Sequence, residues 1–390
     1  MLDSYIIKSE DASLKTKEDK NMKDLMKVAD IIKNRIEKDY VDDVSIFAYY
    51  GSYAQGTNDA YSDLDFFFIP KSERGKELTL SFLIDGSSFD LFPISWERIA
   101  RIVGLEQPLT AVLTKSKVIY SASEEDLLRY ETFVDKLDRM YDPVNSEFML
   151  SKSDSYVKDS IVNLYNMEYE TQDTTSMKIE SQKLLLNILH AVSLANNKYF
   201  VKSLGAFAGE AFKYDHLPQD FEKLVLEIIQ SNETELILSL SKQLLTNTKN
   251  FVQDKILQSS EIEPYETLFV GYYEELKAGL DKVIRACDAG DVTTAFIRGA
   301  AIQEETARFL CKSELGPWFE RSDSYASHKS FHQQHIGIDL MAHMNDLESL
   351  KKDVMTYDAK FRSFLESKGI KIADFESLEA FEKHYMSGSK

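Results

Sequence analysis

The sequence predicts an α+β protein: an N-terminal α/β layer on a mixed sheet, followed by all-helical bundle domains. Two observations carry this. Before Pro143, short apolar runs alternate with turn signals, as strands do. After Pro143, apolar residues recur at three- and four-residue steps, as on helices that bury one face. The division expected is 1–143 for the α/β layer, 144–258 for a first helical domain and 259–390 for a second.

The elements follow in order. A helical pattern runs from Lys20 to Lys38. "VSIFAYY" (Val44 to Tyr50) is a strand, and Gly51 permits a tight exit into a short helix beginning at Ser52. Strands then read at Ser62 to Ile69, Leu78 to Gly86 and Ser87 to Ile94, with "IDGSS" as the hairpin turn between the last two. A helix follows around Trp96 to Val103, then a strand at Ser116 to Ser121. In the helical half, Phe221, Leu224, Val225, Ile228 and Ile229 form one apolar face. Tyr265, Leu268, Phe269, Tyr272, Tyr273, Leu276, Leu280, Val283 and Ile284 predict one long amphipathic helix with its aromatic stripe in the core. "RACDAGDVTTA" reads as a helical hairpin with Asp291 as the second helix's N-cap.

Composition narrows the function. The chain has 390 residues, 43% of them hydrophobic, which is material for more than one core. No apolar run is long enough to span a bilayer, and the first twenty residues are polar, so no membrane association and no export signal are expected. Cys287 and Cys311 are the only cysteines, which excludes a disulfide framework and fits a reducing cytoplasm. A net charge of −19, with an acidic excess in both halves, repels nucleic acid and attracts cations.

The stretch "GSYAQGTNDAYSDLDFFFIP" (Gly51 to Pro70) carries the chemistry. The Gly51–Ser52 turn opens a helix whose first N–H groups, with the Ser52 hydroxyl, suit a phosphate. The period of two along the next strand puts Asp63 and Asp65 on one face, with Leu64 and Phe66 on the other. Two carboxylates so close repel unless a cation lies between them, and an all-oxygen donor set suits Mg²⁺. Asp90 alternates with Phe89 and Leu91, so it joins the pair if its strand is the neighbour. Three carboxylates beside a phosphate cradle are the parts of a two-metal site.

This pattern resembles the signature of the polymerase-β-type nucleotidyltransferase superfamily: Gly-Ser, then Asp-x-Asp, then an Asp on a later strand. The fuller form is similar to the small-molecule branch, which includes aminoglycoside and lincosamide nucleotidyltransferases. "NNKYFVKSLGAFAGEAF" is similar to the helical domain that follows the catalytic domain in some of these enzymes. The resemblance implies that Gly51 and Ser52 bind the triphosphate, that Asp63 and Asp65 serve both of two Mg²⁺ ions, and that Asp90 serves the catalytic ion alone. It implies transfer of a nucleoside monophosphate, with ATP as the default donor, to a hydroxyl. Tyr199 and Lys202 are then candidates for the β and γ phosphates. A cationic small molecule fits the charge best as acceptor. The alternative is an antitoxin-like or regulatory enzyme that modifies a protein or RNA partner.

Other polar features have plainer readings. Glu168, Glu170 and Glu180 are candidates for an acceptor-side base, but solvated helix faces explain them as well. His328, His332, His335 and His343 include an i, i+4 pair, yet no Glu or Cys accompanies them in a zinc pattern, so packing or surface roles are expected. Trp318 in "GPWF" reads as a core anchor beyond a helix stop.

Overall fold

The computed structural model describes residues 26–56, 64–84, 86–171, 173–202, 204–319 and 324–387. The chain forms two compact units that meet in sequence at Lys255 and Ile256.

In the first unit, helix α1 covers 26–39 and strand β1 covers Val44–Tyr50. Helix α2 (Ser52–Gln55) follows, then β2 (Leu64–Pro70), β3 (Leu80–Ile84) and β4 (Ser87–Pro93). After α3 (Trp96–Val103) and α4 (Thr110–Leu113), β5 (Lys117–Ser121) completes the sheet. The strand order is β3-β4-β2-β1-β5, which leaves β3 on one edge and β5 on the other. β2 and β4 are parallel and every other pair is antiparallel, so the sheet is mixed as expected.

Alternation along the strands separates two cores. Phe47, Phe66, Phe68, Phe89 and Leu91 pack against Val28, Ala29 and Ile36 of α1. On the opposite face, Ile46, Ala48, Phe67 and Ile69 meet Ile99 and Ile102 of α3 and Tyr130 and Leu137 of α5 (Glu124–Asp138). Met149 of α6 (Ser146–Tyr169), Leu194 of α7 (Thr174–Ala195) and Tyr199 join this second core. Continuous packing across Pro143 explains why the sheet and the helices after it form one unit.

The unit continues through α8 (Phe207–Ala211), α9 (Phe221–Gln230) and α10 (Thr234–Ser259), the last of which runs past Lys255. On α9, Phe221, Leu224, Val225 and Ile228 are buried, but Ile229 is 52% exposed: the apolar face is narrower than its spacing suggests.

The second unit holds α11 (Tyr265–Leu268), α12 (Tyr272–Asp288), α13 (Val292–Leu315), α14 (Lys329–His335), α15 (Leu347–Ser367) and α16 (Leu378–Met386). The long helix expected from Tyr265 is two helices, because Gly271 sits at φ 75° and ends one before the next starts. The aromatic stripe is nevertheless in the core, with Phe269, Tyr272 and Tyr273 packed among Tyr357 and Phe361 of α15. Asp291 caps α13 by accepting from the Thr294 N–H at 3.0 Å. Trp318 is 45% exposed and, among the described residues, makes a T-shaped ring contact with Phe309, so it lies on the rim of this core. Gly316, at φ 99°, ends α13 where an added Cβ would come within 2.8 Å of the Ser260 carbonyl oxygen. Both cysteines are free and buried, and no helix among the described residues is long and apolar enough to cross a membrane.

Candidate active site

β1 delivers Tyr50 to the end of the sheet, and Gly51 turns the chain there. Its φ of 84° and ψ of −157° lie in a region open only to glycine. The turn is closed by the Gln55 N–H, which donates to the Gly51 carbonyl at 3.1 Å, and Gly56 ends α2 in the left-handed conformation. Asp63 lies outside the described residues; Asp65 is the second residue of β2.

Pairing decides where the carboxylates meet. Asp65 lies opposite Tyr50 on β1 and opposite Asp90 on β4. Residues in register on adjacent strands project from the same face. Asp65 and Asp90 are therefore neighbours, both half-buried. They are on the face of Phe67 and Phe92, whose rings pack on Tyr50 at 6.2 and 6.0 Å and form an apolar floor beside them. Asp90 also lies opposite Ser81 on the edge strand β3, and the Ser81 hydroxyl donates to its Oδ1 at 2.7 Å. That bond orients one oxygen and leaves the other to the site. The donor set is carboxylate oxygen, which fits a hard divalent cation.

The segment after α7 reaches the same end of the sheet. The Gln55 side-chain amide donates to the Val201 carbonyl at 2.7 Å, and the buried Thr110 hydroxyl donates to the Phe200 carbonyl at 2.7 Å. Lys202 is exposed and directly follows the residue tied to α2. Tyr199 has a different place: it is 3% exposed, stacked on Tyr141 at 4.7 Å, with its hydroxyl donating to Asp138 at 3.4 Å. Its ring packs the segment down and has no surface to offer a nucleotide. Beneath, His190 is enclosed by Tyr156, Phe200 and Phe207 with ring centroids 5.0 to 5.1 Å away, and burial pushes its imidazole down to about 4.

Two of the three glutamates considered as bases are engaged. Glu180 takes Lys183 at 2.6 Å and its carboxyl is held below the usual range mainly by that bond, while Glu168 takes Lys242 at 2.8 Å. Glu170 is the residue that ends α6. Of the four histidines singled out in the second unit, two are buried and two face carboxylates. His328 and His332 are buried, His332 within 3.3 Å of the Tyr357 hydroxyl; His335 faces Glu314 and His343 pairs with Asp353. No group of three metal-ligating side chains occurs among the described residues.

Residues 131–258, a third of the chain, match the family model for the KNTase C-terminal domain, that of kanamycin nucleotidyltransferase. This match supports a relationship to the polymerase-β-type nucleotidyltransferases. The match takes in the end of α5 through α10, including the segment 196–212. A nucleotidyltransferase-like protein from Exiguobacterium sibiricum is similar over 57% of this chain and 74% of its own, at 11% identity and a TM-score of 0.34, a likeness too loose to add to this. No curated protein matches. The candidate site has two polar residues that composition and motif did not single out, Gln55 and Ser81. For Ser81 a signal existed: counting outward from the two-residue turn at Gly86 pairs Ile84 with Ser87 and so places Ser81 across from Asp90.

Proposed function

We propose that this nucleotidyltransferase moves a nucleoside monophosphate, by default AMP from ATP, to a hydroxyl of a cationic small molecule such as an aminoglycoside. The observation that carries the reading is the register that sets Asp65 directly beside Asp90 on adjacent parallel strands. Like charges in that position are tolerated when a cation joins them, and Asp65 and Asp90, with Asp63, would hold Mg²⁺. Bound there, the metal would supply charge neutralisation for the triphosphate.

The chain's own groups would do the rest. The Gly51–Ser52 turn and Lys202 receive the triphosphate and set its α-phosphorus in line with the acceptor. Asp90 takes the proton of the acceptor hydroxyl, with its other oxygen fixed by Ser81. The acceptor oxygen bonds to the α-phosphorus as the bond to the bridging oxygen breaks, and pyrophosphate leaves with that electron pair. An acidic surface, net −19, supports a cationic acceptor over a polyanion.

The test is incubation with α-labelled ATP, Mg²⁺ and parallel panels of aminoglycosides, lincosamides, single-stranded RNA, tRNA and proteins. Label on a cationic small molecule supports the reading. Label confined to RNA or protein replaces the acceptor with a macromolecule, and label nowhere with any of the four nucleotides removes the proposal.

A further inference from the structure

The nucleotide turn and the Lys202 segment are separate in sequence, yet a single side chain joins them. Gln55 closes the Gly51 turn with its backbone N–H and holds the Val201 carbonyl with its side-chain amide. The same short stretch is gripped at neighbouring points. Thr110 takes the Phe200 carbonyl inside the core, and the Phe200 ring stacks on Phe207 of α8 at 4.1 Å. From α8, the half-buried carboxylate of Glu210 faces the backbone N–H groups of Val201 and Lys202, and the Lys202 ammonium adds attraction. Upstream, Asn197 is left-handed at φ 55° and its amide donates to the Tyr141 carbonyl at 2.8 Å. The Phe200 and Val201 carbonyls are thus each committed to a partner, while the Lys202 side chain is exposed.

We infer that Gln55 is a positioning residue: its bond to Val201 O fixes Lys202 against the Gly51–Ser52 turn, so that turn and lysine receive the triphosphate as one preorganised unit. The inference rests on the proposed nucleotide site. It gives Gln55 a role distinct from contact with the substrate, because its amide is spent on the backbone. Preorganisation of this kind shows in binding, since a lysine on an untethered segment must be ordered when the ligand arrives.

The experiment is a double-mutant cycle on the full chain, with Gln55→Met, Lys202→Met and the pair. Binding of Mg-ATP, and of inorganic triphosphate with Mg²⁺ as a probe without a base, is measured by calorimetry. Gln55→Met keeps the backbone N–H that closes the turn, so the turn survives and only the link to Val201 is cut. Each single variant should weaken both probes about tenfold. In the Lys202→Met background, Gln55→Met should cost less than about twofold further. Additive losses, or no loss in Gln55→Met, would overturn the inference, because a residue that merely supports the fold acts whether or not the lysine is present. If Gln55→Met does not fold by far-ultraviolet circular dichroism, Gln55→Glu keeps the shape while setting an acceptor against Val201 O, and the same cycle is read with it. Asp65→Asn separates the two levels. If it leaves nucleotidyl transfer intact, the site assignment itself fails; if it abolishes transfer while the cycle is additive, only the role of Gln55 fails.

Discussion

Acid should weaken the first unit through one imidazole. His190 is 7% exposed in its aromatic enclosure and titrates near 4, against 6.5 when solvated. Because the folded value is the lower one, the unfolded chain binds the proton first, and stability present above pH 6.5 is lost as the pH falls toward 4. For these two values the loss is about 2 kcal/mol at pH 5 and about 3 kcal/mol at pH 4. The assay can isolate it, since the chain has two tryptophans, one in each unit. Trp96 stacks on Phe133 under the Arg129 guanidinium, so in a Trp318→Phe background its fluorescence follows urea unfolding of the first unit. His190→Phe keeps a ring among Tyr156, Phe200 and Phe207 but has nothing to protonate. Between pH 7 and pH 5 it should lose about 2 kcal/mol less than its parent. Carboxylates that titrate over the same range cancel in that comparison. Equal losses in the two proteins would show that the imidazole is not held neutral by its surroundings.

Three further outcomes follow from the geometry. Asp65→Asn and Asp90→Asn should each lower transfer by more than about a hundredfold with unchanged circular dichroism; retained turnover in either would remove that residue from the site. Ser81→Ala should lower kcat about threefold to tenfold at nearly constant KM, because it frees Asp90 to rotate without removing it, and steady-state kinetics decides between this and a change in KM alone. Gly51→Ala meets no atom of the described residues within 4 Å and should cost only the conformational penalty of about 1–3 kcal/mol. Gly316→Ala adds a collision with the Ser260 backbone to a similar penalty, so the second unit, read by Trp318 fluorescence, should lose more stability than the first loses through Gly51→Ala.

Much of this was readable in the chain. The strands were visible because β2 and β4 are short apolar runs bounded by turns, and the alternation of Phe89, Asp90 and Leu91 was enough to orient Asp90. What failed did so for identifiable reasons. The spacing from Tyr265 to Ile284 continues in phase across Gly271, so periodicity alone conceals the break. Tyr199 and Lys202 are three residues apart in a polar-aromatic segment, and only the Asp138 and Tyr141 contacts decide that one faces inward. Gln55 and Val201 are joined across 146 positions, and no local pattern announces so distant a bond.

The position of β3 at the sheet's edge has a consequence for association. One side of its backbone ladder is unpaired within the sheet, and Leu80, Leu83 and Ile84 are exposed, which is the kind of border another strand can extend. Extension would use N–H and C=O groups lying in the plane of the sheet. The Ser81 and Asp90 side chains instead project from one face of the sheet and bond to each other outside that plane. Crowded solutions could therefore join molecules edge to edge while the carboxylates stayed armed, so loss of monomer and loss of turnover would be separate events in this protein.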